Sequence, residues 1–182
     1  MTDFKISNIL IPEELTLIAL KNAVLFPKTV IPLMVQRPKS VGALEYALST
    51  NRLIFFATQK SIEDDVQKRD IFTTGTIGRV ISVFKLPDGS SKVDVEGVVR
   101  ARITEITSEA PFFKIKTAPT PLLIRDNLEE KALLRRAIDQ FRMISEVRAF
   151  PTILPEIIYM MSQLNDTEHI ISLIAVNLNL EL

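Results

Sequence analysis

A single histidine, His169, and no cysteine leave few routes to nucleophilic or metal chemistry in this chain of 182 residues. Histidine-based nucleophiles and metal sites need several converging partners. His169 falls in the first turn of a predicted helix, where a solvated polar residue is the plain reading. The carboxylate pairs Asp64-Asp65 and Glu129-Glu130 are adjacent in sequence. They lie in a polar stretch and at a helix start, and solvation and the helix dipole account for them. Lys39-Ser40 resembles the end of a nucleotide-binding loop, but Gln36-Arg37-Pro38 before it holds no glycine, and Pro38 lacks a backbone donor. Gly75-Thr-Ile-Gly78 sits inside a strand pattern, not at a strand-to-helix turn. No segment singles out a serine–lysine pair. The expectation is a chain with no catalytic residue, no metal ligand and no cofactor.

Composition narrows the partners. Hydrophobic residues make up 47% and charged residues 24%, as in a folded globular protein. Lysine plus arginine and aspartate plus glutamate number 22 each, so the excess positive charge that usually accompanies nucleic-acid binding is missing. Lys21, Lys28, Arg37 and Lys39 form a mildly basic stretch, read as ordinary charged surface because it lacks clustered aromatics for base stacking. The first residues carry no secretory pattern. The longest apolar runs, Leu53–Ala57 and Ile170–Val176, fall well short of the ~20 residues that span a bilayer. A cysteine-free chain of this kind fits the cytoplasm.

The elements that must position any binding surface divide near residues 119–126, where Pro119-Thr-Pro121 marks a linker. Residues 1–14 read as an N-terminal extension. Residues 15–118 are mostly period-two. A strand is expected at Leu15–Leu20 and another at Pro32–Gln36; Pro27 and Pro32 confine that region to an edge or irregular segment. Pro38 opens a helix with Val41, Leu44 and Leu48 on one face, ending at Asn51. Leu53–Ala57 is a short buried strand, and Ser61–Asp70 an acidic, mobile surface loop. Thr74–Leu86 is a long strand whose glycines mark bends. It is followed by a turn at Pro87-Asp-Gly89. Lys92–Glu96 alternates, Gly97 breaks the strand, and Val99, Ala101 and Ile103 resume it. Phe113 and Ile115 share a face of the last strand. About six short strands and one helix point to a bulged, barrel-like β domain.

Residues 127–182 turn helical. Asn127 and Glu130 suit an N-cap and its third-position partner. Leu134, Ala137, Ile138, Phe141, Ile144 and Val147 form one face, and Pro151 closes the helix. Pro155 opens a second helix with Ile158, Met161 and Leu164 inward. Asp166 or Thr167 caps a third, carrying Ile170, Ile171, Ile174 and Leu178. Three short-linked helices make a small bundle.

Read in order, these segments resemble the N-terminal domains of Lon-type proteases. Leu17-Ile-Ala-Leu-Lys-Asn-Ala-Val-Leu-Phe-Pro27 and Val30-Ile-Pro-Leu33 are similar to the opening of those domains, and Lys39-Ser-Val-Gly-Ala-Leu44 to their first helix. Leu53-Ile-Phe-Phe-Ala-Thr-Gln-Lys60, Gly75-Thr-Ile-Gly-Arg-Val80, Lys85-Leu-Pro-Asp-Gly89, Val95-Glu-Gly-Val-Val-Arg-Ala-Arg102 and Ile171-Ser-Leu-Ile-Ala-Val-Asn-Leu178 follow in the family's order. The family often has proline where Ala19 stands and arginine-aspartate where Lys21-Asn22 stand. The resemblance implies an α+β fold: a PUA-like β pseudo-barrel with one helix, followed by a small helical bundle. It implies a piece ending before the ATPase and peptidase modules of a homohexameric parent. Its role would be recognition of unfolded, damaged or degron-bearing proteins and help in assembly.

An apolar groove could select unfolded chains by area, at roughly 25 cal/mol per Å² buried. The candidates for it are Leu25, Phe26, Pro27, Ile31 and Met34, because prolines keep that segment irregular. A second group is Phe84, Leu86 and Pro87 at the hairpin. The alternatives are a free-standing adaptor of the same fold and, suggested by the PUA-like fold alone, an RNA-binding module.

Overall fold

Two strands of this chain are apolar along nearly their whole length, and they set the architecture of the β unit. In the computed structural model, which describes residues 4–6, 9–60, 63–125, 127–147 and 154–178, β3 (Glu14–Leu20) and β5 (Leu53–Thr58) run parallel, with Thr16 opposite Ile54. A strand covered on both faces needs no polar alternation. Leu15, Leu17 and Ala19 of β3 and Leu53, Phe55 and Ala57 of β5 turn into one core with Ile77, Val99, Ala101 and Ile115. Ile18, Leu20, Ile54 and Phe56 turn the other way, onto Ala43, Leu44 and Ala47 of α1 (Pro38–Ser49). Thr16 also faces the helix, where its hydroxyl donates to the carbonyl of Ala43 at 3.3 Å.

The sheet runs β4 (Val30–Val35), β7 (Ser91–Ser108), β6 (Thr74–Lys85), β5, β3, β8 (Lys114–Pro119), and β7 pairs with β8 as well. Strands β3, β5, β6, β7 and β8 thus close a ring, and β4 hangs on β7 outside it as an edge strand. The 18 residues of β7 serve both duties: residues 91–96 lie opposite β4 and residues 101–108 opposite β8. Register shifts between Ile77 and Gly78, and between Val80 and Ser82, mark irregularities of the kind that bend a strand. The expected break at Gly97 does not occur. Gly97 pairs with Gly78 while Val99 pairs with Ile77, so Val98 is an extra residue in a continuous, bulged strand.

Other boundaries differ for local reasons. β4 begins at Val30, and Pro32 is tolerated inside it because the strand is an edge. The helix ends at Ser49, and Asn51 accepts a bond from the backbone N–H of Leu53 at 2.9 Å. The segment expected as a mobile loop carries a 3₁₀ turn at Lys68–Asp70, boxed by Gln67 and Asp70, and buries Val66 and Ile71 in the core; Ser61 and Ile62 lie outside the described residues. The N-terminal extension contains a small ladder, β1 (Phe4–Ile6) with β2 (Ile9–Ile11), and Ile11 is fully buried. The last strand begins after Phe113 and continues through Pro119, one residue into the expected linker.

The chain divides into two compact units, Met1–Pro121 and Leu122–Glu181. In the second, α2 (Leu128–Val147), α3 (Leu154–Gln163) and α4 (Thr167–Asn177) bury Phe141, Met161 and Ile170 among Leu134, Ile138, Ile157, Leu164, Ile174 and Leu178. Asn127 Oδ1 accepts from Glu130 N at 2.8 Å, the expected cap, while the Glu130 carboxylate reaches back to the N–H of Arg125. Asp166 caps α4, accepting from the N–H of His169 at 3.1 Å. Ile157 packs against the buried cluster where Ile158 was expected. Ile144 and Ile171 are exposed, displaced by the drift of a 3.6-residue period across a narrow face. Pro151 and the side chains of Val147 and Pro155 lie outside the described residues.

Candidate functional site

The residues with catalytic types lie apart from one another in the chain, His169 in α4 and Asp64 and Asp65 in the segment after β5. His169 is partly buried, and its backbone N–H, not its imidazole, donates to the Asp166 cap of α4. Asp64 pairs with Lys21 at 3.3 Å and Asp65 with Lys39 at 3.8 Å. Among the described residues no group of three or more acidic or histidine side chains is placed to hold a metal ion.

An open apolar surface of the β unit is the outer face of β4, β7 and β6. Residues opposite one another across a sheet share a face. One row is Met34, Lys92, Phe84; the next is Pro32, Asp94, Ser82; the third is Val30, Glu96, Arg79. Val30, Met34 and Phe84 are 56%, 51% and 67% exposed, and Ile81, in the irregular stretch between Val80 and Ser82, is exposed beside them. The stripe down the middle is polar but largely compensated. Arg79 Nη2 lies 2.5 Å from Glu96 Oε2, and Ser82 Oγ donates to Asp94 Oδ2 at 2.5 Å. Lys92 makes no ion pair among the described residues. The result is two apolar flanks along a compensated polar stripe, and among the described residues no strand pairs with the outer edge of β4.

The sequence candidates separate by the parity of the strand. Leu25 is 2% exposed, and a Cβ on Gly78 would come within 2.7 Å of it. Its carbonyl accepts from the hydroxyl of Thr76 at 2.6 Å. Leu25 is therefore core, out of reach of a partner in this conformation. Pro27 is buried too. Gly97 explains how the chain passes there: a Cβ on it would overlap the carbonyl oxygen of Phe26, and its own N–H and C=O bond Thr29 O at 2.9 Å and Lys28 N at 2.7 Å. Phe26 is half-buried. Ile31 lies three residues from Met34 and so faces the other way, into the core beneath α1. Met34 alone of the first group stands fully on the open face.

In the second group Phe84 and Pro87 are exposed and Leu86 is half-buried. Gly89 has φ +85°, which closes the turn, and Asp88 accepts from the N–H and hydroxyl of Ser90 at 2.9 and 2.6 Å. Those two bonds hold the Asp88 carboxyl below its usual range. The fold joins Met34 of the first group to Phe84 of the second across Lys92. Val30 and Ile81, which complete the surface, were not singled out in the sequence; the period of two along a strand, which puts Val30 on the same face as Met34, is the signal that marks Val30.

Comparison with known proteins places these features in a family. Residues 14–182 match the model for the ATP-dependent protease La (LON) substrate-binding domain. A Lon protease of Trichlorobacter lovleyi is 37% identical over 175 residues, covering 94% of this chain and 21% of that protein. A Lon protease of Geobacter metallireducens is 33% identical over 174 residues, again 94% of this chain and 21% of the relative. The chain thus spans about a fifth of the length of these relatives. Among solved structures, the N-terminal domain of the Mycobacterium avium complex Lon protease superposes with a TM-score of 0.66 at 19% identity, covering 86% of this chain and 78% of that one. At that identity the likeness shows the fold.

Proposed function

Since the chain belongs to the LON substrate-binding domain family, we propose that it grips polypeptide substrates for an ATP-dependent protease, through the outer face of β4, β7 and β6. The observation that supports this reading is the set of exposed apolar side chains, Val30, Met34, Ile81 and Phe84, beside an open strand edge. An unfolded protein exposes apolar side chains that a folded one hides. Covering them on this face gains roughly 25 cal/mol per Å², and an extended segment can add backbone bonds along β4. Pro32 removes one donor from that edge, which limits how long a ladder can grow.

Much of the apolar gain is offset by association and ordering costs, so one copy binds weakly. In a homohexameric parent several copies act on one client, and avidity multiplies the grip. On this reading the chain contributes no catalysis; ATP hydrolysis and peptide-bond cleavage belong to other parts of the longer protein. No helix of the described residues is long and apolar enough to cross a membrane, and the proposed compartment is the cytoplasm.

The test is a titration of the chain with an unfolded model protein and with the same protein folded. The unfolded form should bind at least about tenfold more tightly. Equal affinity for the two forms would defeat the proposal, and salt-sensitive binding to RNA in their place would favour a nucleic-acid module.

A further inference from the structure

Arg37 stands between two clefts of the β unit. One, of about 320 Å³, runs past Ile18, Leu20 and Leu33. The other, of about 360 Å³, is lined on its apolar side by Leu17, Pro38, Val66 and Phe113. Ala19, Arg37, Ser40 and Asp64 line both, so the two adjoin. Where they meet, unspent hydrogen-bond donors collect. The guanidinium of Arg37 is held by Gln59 Oε1 at 2.7 Å and by the carbonyl of Ala19, yet it faces no carboxylate partner among the described residues. Ser40 is 8% exposed, and its hydroxyl has no hydrogen-bond partner among the described residues although it borders both clefts. Its oxygen is not sealed from solvent, so it is open to a group entering the clefts. The first turn of α1 carries no acidic residue and no side-chain cap. Pro38 at its first position has no N–H, so the N–H groups of Lys39 and Ser40 are the ones left unpaired within the helix, and they favour an anion.

We infer that these clefts form one site for the C-terminal carboxylate of a polypeptide that ends in an apolar residue. The carboxylate would lie on Arg37, Ser40 and the start of α1. The terminal side chain would enter the cleft walled by Leu17, Val66 and Phe113, and the preceding backbone would leave through the other. An apolar wall directly beside an anion-binding floor is what separates a chain terminus from a free phosphate, which has no apolar part. Asp64 and Asp65 stand at the mouth on Lys21 and Lys39, both carboxylates 82% exposed. They hold the rim lysines when no ligand is present, and an arriving carboxylate competes with Asp65 for Lys39.

This site deepens, and rests on, the reading that the chain binds polypeptides. It is tested on the full chain with a labelled glycine–alanine peptide ending in leucine, as the free acid and as the amide. Amidation should weaken binding about tenfold, as expected for loss of charge-assisted hydrogen bonds. Ser40→Ala should weaken the acid and leave the amide unchanged. Asp65→Asn should tighten the acid by freeing Lys39. Equal binding of acid and amide overturns the inference. So does inorganic phosphate competing as strongly as the peptide, which would mark a bare anion site. A titration with an unfolded protein whose terminus is amidated separates the two readings. If preference for the unfolded form persists there while acid and amide peptides bind alike, only the terminus site fails; if neither preference appears, both readings fail.

Discussion

Met34 and Phe84 stand two strands apart in one row of the sheet, each directly opposite Lys92. Both side chains are more than half exposed. Neither belongs to a buried cluster among the described residues, so substituting them separates binding from folding. In the double variant Met34→Ser, Phe84→Ser, urea unfolding should shift by no more than about 0.5 kcal/mol per site, as for ordinary surface changes. Affinity for an unfolded protein should fall by about tenfold or more, the scale of losing central apolar contacts. Unchanged affinity would remove this face from the account.

Gly97 makes the opposite prediction. Its missing Cβ leaves room for the carbonyl of Phe26, and the N–H and C=O of Gly97 tie residues 28 and 29 to β7. Gly97→Ala should destabilise the β unit by about 2–3 kcal/mol or more, because backbone must move. Denaturant melting reads this directly, and a stability equal to that of the parent would contradict the crossing described here.

How Phe84 came to face solvent explains what the sequence could and could not disclose. From the buried Val80, strict alternation would send residues 82 and 84 inward and Val83 outward. The register shift between Val80 and Ser82 adds a residue at Ile81, so Val83 packs inward opposite Val93 and Phe84 turns out. A one-residue slip flips every later side chain, and local composition does not announce it. The strand runs themselves, the Pro38 start of α1 and the caps at Asn127 and Asp166 are legible because each is a local preference. The closing pair β7–β8, the edge position of β4 and the meeting of Arg37 with Ser40 and Phe113 around adjoining clefts are long-range outcomes. Neither periodicity nor motif spacing encodes them.

The ring is also tied by a titratable contact. Glu14 Oε1 accepts from the hydroxyl of Thr107 at 2.6 Å, and Glu14 Oε2 lies 3.3 Å from Lys114 Nζ. The Thr107 bond first, then Lys114 against the opposing effect of burial, hold the carboxyl below its ordinary value of 4.5. A depressed carboxyl stabilises the fold fully above its unfolded value and loses that contribution as pH falls through the folded one. Stability should therefore drop as pH falls below 4.5, and Thr107→Val should make that drop smaller. Chemical melts near pH 6 and pH 3, on the order of the range where carboxylates titrate, check the sign. An unchanged pH dependence would show that this bond is not coupled to folding.

Asn127 caps the first helix of the second unit. Its side chain answers the N–H of Glu130 at the start of α2. Asn127→Ala should destabilise the helical unit by about 1 kcal/mol. Hydrogen exchange in α2 should rise, while exchange in β5 should not. Equal effects in both would indicate that the two units unfold together.

The most direct test of the central claim is a methyl and backbone NMR titration of the chain with an unfolded protein. The account predicts shifts at Val30, Met34, Ile81, Lys92 and Phe84, with the interior residues Phe55 and Ile77 unmoved. Perturbations confined to α2–α4, with the β4–β7–β6 face silent, would contradict it.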